Sequence, residues 1–403
     1  MAAAVPCTWQ QRVTRLALWL LAAGLAARAP WRTLASVRPG PRPPSGAARP
    51  YRPSRAGQWP AAAARTAAAA SPPAPVAFPG FLPQEGLRAI EEPAAVAMAR
   101  ALRSADVHVP ASVCSRPLRT SYYLSEGLPE DAPLVVLLHG FDSSCLEWRR
   151  LVPALEARGV AACAVDLLGW GFTERPQDAA CDFSAGAKLR HLEAFLEEVV
   201  LGPAESRGRP VVLLGTSLGA AFAVALALDR PDLVDRLVTM SPQVFVDGIG
   251  PMAALPRPLA ELGVGVLGSE PLRSLANWLS YADPETFATE DAMRVGRLSV
   301  LTEGWAASTV DYMLSGGIAV SARIGQLRLP TLCVLGRQDG IVEPEPVAER
   351  LAQELGGEAA KGRAPPALRW VEDCGHVPHL EQPAATAQLL VEWLRERAPG
   401  AAA

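Results

Sequence analysis

The first 84 residues of this 403-residue sequence contain no aspartate and no glutamate, although they contain ten arginines. The first acidic residue is Glu85. The segment consists mostly of Ala, Pro, Arg and Ser, so it has too little apolar surface to offset the entropy of ordering it. A segment rich in Arg and Ser and free of acids is typical of organelle transit peptides. We therefore interpret residues 1–84 as a targeting or disordered leader.

The leader also lacks an apolar run long enough to span a membrane. Its run Leu16–Ala27 has 12 residues and follows Arg12 and Arg15, whereas a transmembrane helix needs about 20. The run would suit a secretory signal peptide. Three alternatives therefore stay open: a plastid or mitochondrial transit peptide, a secretory signal, or a signal followed by a transit segment. The acid-free stretch after the run favours an organelle, and we expect a plastid.

Basic residues are scarce in the rest of the chain. Residues 85–403 contain 28 basic and 41 acidic residues, which gives a net charge of −13. Binding to nucleic acid needs a positive surface that neutralises phosphates. We therefore expect no nucleic-acid partner.

The cysteines form no CxxC or CxxH pair, so the sequence predicts no metal site and no cofactor. Cys163 and Cys333 lie in apolar, strand-like runs, where cysteine behaves as a small buried hydrophobe. The scattered pattern is what we expect of a reduced compartment. The cysteines are Cys7, Cys114, Cys145, Cys163, Cys181, Cys333 and Cys374.

Short apolar runs alternate with helix-like stretches from residue 130 onward. Continuous apolar runs of this length are typical of parallel strands that are buried on both faces. The alternation predicts an α/β fold with a mostly parallel central sheet and helices on both faces. We divide the chain into the leader, a pre-core segment at 85–129, a main domain at 130–398 and a tail at 399–403. The predicted strands are Thr120–Leu124, Leu134–Leu138, Val160–Val165, Val211–Leu214, Leu237–Met240 and Thr331–Leu335, and the predicted helices are Glu85–Ser104, Leu146–Arg158, Ala185–Val200, Leu218–Asp229 and Glu345–Leu355.

The alternation is interrupted once, between Pro242 and Leu329, where a single helix would suffice. We expect an inserted helical lid at about 249–326. The first half of the insertion is strongly apolar, which suits an acyl or isoprenoid chain and would allow peripheral membrane contact. The alternative is that these side chains only pack the lid onto the core. They are Met252, Leu255, Leu259, Leu262, Val264, Leu267, Leu272, Leu275 and Trp278.

A nucleophile-elbow pattern, GxSxG, follows the apolar run Val211–Leu214 and precedes a helix-like segment. In such a tight strand-to-helix turn the flanking Gly215 and Gly219 relieve crowding. Ser217 then projects at the start of a helix, which favours developing negative charge. A turn of small residues after a strand can also be purely structural. The position within an α/β series favours Ser217 as a nucleophile.

The loop after the run Leu134–Leu138 reads His139-Gly140-Phe141. In serine hydrolases with this elbow, such a loop supplies one oxyanion donor, and the residue after the nucleophile supplies the other. We assign these donors to the backbone N–H groups of Phe141 and Leu218. We expect His139 and Gly140 to shape the loop, because a base at His139 would be out of chain order.

A catalytic triad on this elbow runs in the order serine, acid, histidine. Asp339 follows the run Thr331–Leu335, and His376 follows the strand-like sequence LRWVE. We therefore predict Asp339 as the acid and His376 as the general base. An aspartate before glycine is often only a turn former, so alternatives are kept. The rival histidine is His379, the fallback acids are Asp247 and Glu343, and His108 and His191 are interpreted as structural.

The motifs HGF, DLLGWGFTERP, GTSLG, GRQDGIV and GHVPHLEQP together resemble the α/β-hydrolase superfamily over about Pro133 to Arg397. The sequences HGFDSSCLEWRRL, Gly304-Trp305 and Ser315–Gly317 resemble plant and algal plastid-targeted members. The resemblance implies the α/β-hydrolase fold with an inserted lid. It also implies that Asp166–Thr173 is a structural loop beside the mouth of the active site.

Related epoxide hydrolases and haloalkane dehalogenases carry an aspartate nucleophile at the elbow, where this chain has Ser217. The serine favours a carboxylic ester, in particular a lipid, acyl or phytyl ester, cleaved through an acyl-enzyme. Two alternatives stay open: an acyltransferase that uses the same acyl-enzyme, and a non-catalytic binding protein on this scaffold. The expected partner is a small, apolar ester, and the sequence does not give the oligomeric state.

Overall fold

The computed structural model describes residues 77–127, 133–202, 209–356 and 365–396. Its centre is an eight-stranded sheet with the order β1-β2-β4-β3-β5-β6-β7-β8. The six strands from β3 to β8 run parallel, and β2 pairs antiparallel with both β1 and β4. The prediction of a mostly parallel sheet is therefore confirmed. The strands are β1 Arg103–Val107, β2 Leu118–Leu124, β3 Leu134–Leu138, β4 Ala161–Val165, β5 Val211–Thr216, β6 Arg236–Met240, β7 Thr331–Gly336 and β8 Ala367–Val371.

Helices cover both faces of the sheet, as predicted. Alternate residues of β3 face opposite sides, so Val136 joins one core cluster and Val135 joins the other. Both clusters are buried, which explains why the central strands have continuous apolar runs. The helices outside the lid are α1 Gln84–Arg88, α2 Pro93–Ala101, α3 Leu151–Glu156, α4 Ala185–Phe195 and α5 Leu218–Asp229, followed after the lid by α11 Pro344–Gly356, α12 Pro378–Glu381 and α13 Pro383–Arg395.

The pre-core segment differs from the prediction. The single helix proposed for Glu85–Ser104 is two helices, α1 and α2, and its last two residues belong to β1. The break falls before Pro93, because the proline ring disfavours a helical conformation in the preceding residue. Burial also begins before the predicted boundary at residue 84, since Leu82 is 3% exposed and packs in the core. Residues 1–76 and 397–403, which contain most of the leader and the predicted tail, lie outside the described residues.

The lid follows β6, as predicted, and is almost entirely helical. One short 3-10 helix, Gly250–Ala254, opens it, and another, Ser321–Gln326, precedes the return to β7. In residues 77–127, 133–202, 209–356 and 365–396, no helix combines the length and apolarity needed to cross a membrane. The lid helices are α6 Arg257–Leu267, α7 Glu270–Leu279, α8 Pro284–Phe287, α9 Glu290–Arg297 and α10 Trp305–Leu314, with a 3-10 turn at Leu298–Leu301.

A disulfide joins Cys114 to Cys181. This pair corrects the expectation that the scattered cysteines are all reduced. The two residues are 67 positions apart in sequence, and an isolated β-bridge brings their backbones together. No short-range motif marks such a pair, so the sequence alone did not reveal it. Cys163 and Cys333 are buried and unpaired, as predicted.

Candidate active site

Ser217 lies in the turn between β5 and α5. Its backbone angles are φ 50° and ψ −120°, a conformation that costs a non-glycine residue about 1–3 kcal/mol. The turn is held by a hydrogen bond from the Ser217 N–H to the Met240 carbonyl, at 2.9 Å. Side chains at the flanking glycines would clash, because a Cβ on Gly215 would lie 2.6 Å from Ala220 Cα and one on Gly219 would lie 2.5 Å from the Leu138 carbonyl oxygen. The local sequence therefore permits the sharp turn that the GxSxG pattern predicted.

Backbone strain is concentrated at one edge of the sheet. Among the residues with described backbones, four non-glycine residues have positive φ, and each lies within four positions after a parallel strand ends. Strained backbone of this kind clusters at functional sites, and ligands of open α/β sheets bind at the carboxyl ends of the strands. The carboxyl edge of the sheet is therefore the candidate site. The four residues are Asp142, Ser217, Ser241 and Asp373.

His376 and Asp339 are hydrogen-bonded to each other at this edge. The distance between His376 Nδ1 and Asp339 Oδ2 is 2.8 Å, and both side chains are buried. The second oxygen of Asp339 accepts the backbone N–H groups of Ile341 and Val342, at 2.8 and 2.9 Å. These bonds fix the carboxylate, which in turn orients the imidazole with Nδ1–H toward it.

The loop that carries His376 is held by Glu381, a residue that the sequence analysis missed. Glu381 is 3% exposed, and its Oε2 accepts the N–H of Gly375 at 2.7 Å. Its Oε1 accepts the N–H groups of Ala282 and Asp283 in the lid, both at 2.9 Å. A buried glutamate is rarely tolerated without such partners. The sequence GHVPHLEQP, in which four of nine residues are polar, did not mark Glu381 as buried.

The structure places the two residues predicted as oxyanion donors after neighbouring strands, β3 and β5. Phe141 follows β3, and Leu218 is the first residue of α5. Within the described parts of the chain, neither backbone N–H is hydrogen-bonded to an acceptor. Gly140 places this loop beside the serine, since a Cβ at that position would be 3.5 Å from Ser217 Cβ.

Glu147 holds the same loop and was also missed. Its Oε2 accepts the Gly140 N–H at 2.9 Å, and its Oε1 lies 3.2 Å from His379 Nε2. Burial raises the pKa of this carboxyl, but the nearby imidazoles of His379 and His139 and the Gly140 N–H outweigh it and lower the pKa to about 2. Glu147 is therefore a carboxylate at neutral pH. Its hydrogen bond occupies the Gly140 N–H, whereas the next N–H, that of Phe141, has no acceptor among the described residues.

The other histidines have structural contacts. His139 Nδ1 lies 2.8 Å from the Gly140 carbonyl oxygen, and its Nε2 accepts the Leu167 N–H at 3.1 Å. His379 is fully buried, which lowers its pKa, and its ring lies against Trp148. His191 is buried beside Thr120, and His108 pairs with Glu198 at the surface. Within the described residues, none of these four histidines is hydrogen-bonded to Asp339, which pairs with His376.

The fallback acids lie elsewhere. Asp247 accepts the N–H groups of Val320 and Ser321, at 2.9 and 3.0 Å, and thereby fixes the segment in which the lid returns to the core. Glu343 is exposed. The structure therefore brings Asp339, and neither fallback acid, against His376.

Comparisons with known proteins agree with this architecture. The sequence matches the alpha/beta hydrolase family over residues 135–389. It is 36% identical to the alpha/beta hydrolase domain-containing protein VTE7 of Arabidopsis thaliana over 320 residues, which is 78% of this chain and 90% of that protein. The chain belongs to the alpha/beta hydrolase family, as its motifs predicted.

Two further similarities come from bacteria. The chain is 25% identical to Lipase 1 of Psychrobacter immobilis over 260 residues, which is 64% of this chain and 75% of that protein. Its fold is similar to that of a thermophilic esterase from Thermogutta terrifontis, with a TM-score of 0.56, 20% sequence identity and coverage of 73% of this chain and 98% of the esterase. The structural similarity confirms the predicted fold.

Proposed function

We propose that this protein is a serine hydrolase that cleaves a carboxylic ester. The observation that carries the proposal is the 2.8 Å hydrogen bond between His376 and Asp339, at the sheet edge that also presents Ser217 on a strained elbow. A histidine oriented by a carboxylate, at the same edge of the sheet as a serine in a nucleophile elbow, is the arrangement that acyl transfer needs. The similarity to a protein named as a lipase supports an ester as the substrate.

The mechanism has two half-reactions. His376 Nε2 takes the Ser217 hydroxyl proton as Oγ attacks the ester carbonyl carbon, and Asp339 stabilises the imidazolium. The N–H groups of Phe141 and Leu218 bind the oxyanion of the tetrahedral intermediate. The intermediate collapses as His376 protonates the leaving alcohol, which leaves an acyl-serine. Water then attacks the acyl carbon and gives a proton to His376. As this second tetrahedral intermediate collapses, His376 returns the proton to Ser217 Oγ and the carboxylic acid is released.

The substrate that we propose has an apolar acyl or prenyl group, such as a lipid or phytyl ester. An apolar cluster in the lid, which includes Val264, Val310 and Met313, packs against Phe141, the residue assigned as an oxyanion donor. Apolar lid residues thus contact the loop beside which the ester carbonyl would bind. A ligand site lined in this way favours apolar chains, with a few polar groups for orientation.

We also propose that the lid contacts a lipid surface from which such a substrate is drawn. The large hydrophobic side chains that are exposed in the described residues all belong to the lid. Exposed apolar patches on a protein surface mark interaction sites. The side chains and their exposed fractions are Leu259 at 52%, Leu262 at 65%, Trp278 at 44%, Leu279 at 48% and Leu301 at 52%.

A series of p-nitrophenyl esters of increasing chain length tests the activity and the substrate class. We expect hydrolysis, with kcat/KM rising from acetate to longer acyl chains. Identification of the products with and without an added long-chain alcohol separates the hydrolase from the acyltransferase, because both form the same acyl-enzyme. Free acid as the main product supports the hydrolase, and transfer of the acyl group to the alcohol in preference to water contradicts it.

For location, we propose import into a plastid. The supporting observations are the acid-free, arginine-rich leader and the similarity to a plant protein. Residues 1–80 fused to a fluorescent reporter are expected to direct it into plastids of a plant cell. Reporter in mitochondria or in the secretory pathway would contradict the proposal and favour one of the other two interpretations of the leader.

A further inference from the structure

Asp142 joins the oxyanion loop to the lid. It directly follows Phe141, it is 1% exposed, and its φ is 50°. This left-handed conformation costs free energy in a residue that has a Cβ. A buried, charged side chain in such a conformation needs partners that keep it there.

Both side-chain oxygens of Asp142 are bound by the lid. Oδ1 accepts the indole N–H of Trp305 in α10, at 2.7 Å. Oδ2 forms an ion pair with Arg273 of α7, whose side chain is 14% exposed. Arg273 is in turn fixed within the lid, because its Nε donates to the Leu267 carbonyl at 2.9 Å. Two lid helices therefore meet at one carboxylate of the loop.

The oxyanion loop is thus held from two sides. Glu147, from the core, binds the N–H of Gly140, and the lid binds the side chain of Asp142. The residue between these two anchors is Phe141, whose N–H is the proposed oxyanion donor. Loss of the lid contacts would leave only side-chain contacts at Gly140, from Glu147 and His139, among those described for this stretch. Asp142 would then relax toward negative φ.

Because Asp142 is charged, its contact with the lid also affects the electrostatics of the oxyanion hole. An unpaired carboxylate one residue from the oxyanion donor would oppose the negative charge that develops in the transition state. The guanidinium of Arg273 neutralises it at direct contact. The same lid residue therefore both fixes the loop and removes an unfavourable charge from it.

We propose that Asp142 is a positioning residue through which the docked lid sets the geometry of the oxyanion hole. The proposal rests on the proposed ester hydrolase function. It makes the lid a part of the catalytic apparatus as well as a cover for the substrate. Lid substitutions that break the contacts of Asp142 should then slow the chemical step, even for a substrate too small to contact the lid.

The test uses the lid variants Arg273→Met and Trp305→Phe, which leave the sequence of the loop unchanged. With p-nitrophenyl acetate we expect kcat to fall about 10- to 100-fold, short of the 10²- to 10³-fold loss for removal of a whole oxyanion donor, with KM changed less than threefold. The matched control is Arg297→Met. Arg297 is also a lid arginine, but its partners, Glu270 and the Gly268 carbonyl, lie in the lid itself.

A thionoester of the same acid provides a readout that a merely structural role would not change. Its sulfur accepts N–H hydrogen bonds weakly, so the ratio of oxoester to thionoester hydrolysis reports on the oxyanion hole. The ratio should fall in Arg273→Met and Trp305→Phe and stay at the wild-type value in Arg297→Met. Asp142→Asn, which is nearly isosteric and tolerates positive φ, should also lower the ratio of oxoester to thionoester hydrolysis. Its effect should be non-additive with that of Arg273→Met.

The outcomes separate this inference from the function on which it rests. If the wild-type protein hydrolyses no ester, the proposed function fails. If the wild-type protein is active and the variants keep its kcat and its oxoester-to-thionoester ratio, the role of Asp142 is refuted. An increase in KM alone would also refute it, because the lid would then act on binding and not on the oxyanion hole. Should Arg273→Met fail to fold, Trp305→Phe and Asp142→Asn give the same test.

Discussion

The sheet edge and the lid differ in how their residues are held. At the sheet edge, strained backbone and buried polar groups are fixed by many hydrogen bonds, as at Ser217 and Asp339. The lid consists of short helices, and the described large hydrophobic side chains that remain exposed all belong to it. Rigid positioning is what catalysis needs, whereas an adaptable apolar surface suits the binding of chains of variable shape.

Two carboxylates link the two regions. Glu381 binds lid N–H groups on the side of the histidine loop, and Asp142 binds Arg273 and Trp305 on the side of the oxyanion loop. The lid is therefore docked on both halves of the proposed catalytic apparatus. Substitutions at the edge should affect the chemical step, and those on the outer face of the lid should affect association with lipid.

The largest contrast is expected between two histidines three positions apart. His376→Ala should lower kcat by about 10⁶, because the members of a triad act as a unit. His379→Ala should cost far less in kcat, since that ring contacts Glu147 and Trp148 and not Asp339. Steady-state kinetics on a p-nitrophenyl ester measures both. Equal losses, with intact folding by circular dichroism, would mean that His376 is not the base.

The next contrast concerns the acid. Asp339→Asn should lower kcat about 10⁴-fold, because an amide neither stabilises the imidazolium nor fixes its tautomer. Asp247→Asn removes the same charge from a carboxylate that fixes the lid return, and kcat should stay within a fewfold of the wild type. The reverse ranking would place the acid after β6.

The sequence predicted the sheet edge much better than the contacts around it. Ser217, Asp339 and His376 lie in short motifs after strands, and parallel strands bring their carboxyl ends together. Asp142, Glu147 and Glu381 were missed, because each also has a partner far away in sequence: Trp305 for Asp142, His379 for Glu147 and Ala282 for Glu381. The Cys114–Cys181 disulfide was missed for the same reason.

Histidine titration should act on the part of the chain outside the lid, because the lid contains no histidine. Burial, with a smaller effect of Lys188, lowers the pKa of His191 to about 3. Between that value and the unfolded pKa of about 6.5, the unfolded chain binds a proton that the folded chain excludes. The stability due to neutral His191 is therefore complete above pH 6.5 and is lost as pH falls, by about 1.4 kcal/mol per pH unit.

The variant His191→Gln, whose side chain does not titrate, measures how much His191 contributes to the pH dependence of the free energy of unfolding. Urea unfolding at several pH values between 4 and 7 should show a free energy of unfolding that falls less steeply with acid than in the wild type. His108→Gln makes the same chemical change at an exposed position and should keep the wild-type slope. A wild-type slope in His191→Gln would mean that the buried imidazole is not the acid-sensitive group.

The smallest effect on stability is expected on the outer face of the lid. Leu262→Ser should change the free energy of unfolding by less than about 0.5 kcal/mol, because this side chain is 65% exposed. Val264→Ser, on the same helix but fully buried, should cost about 2–4 kcal/mol. Leu262→Ser should weaken flotation with phospholipid vesicles, and unchanged flotation would contradict a lipid-contacting lid.

The central claim is that Ser217 is the nucleophile of a hydrolase. A fluorophosphonate probe reacts with an activated serine, and peptide mass spectrometry identifies the residue that carries the adduct. We expect a single adduct on the peptide that contains Ser217 and none on Ser217→Ala. The variant should keep the thermal stability of the wild type, because the substitution leaves the backbone of the turn unchanged. Labelling of Ser217→Ala at the wild-type rate, or an adduct on another serine, would contradict the assignment.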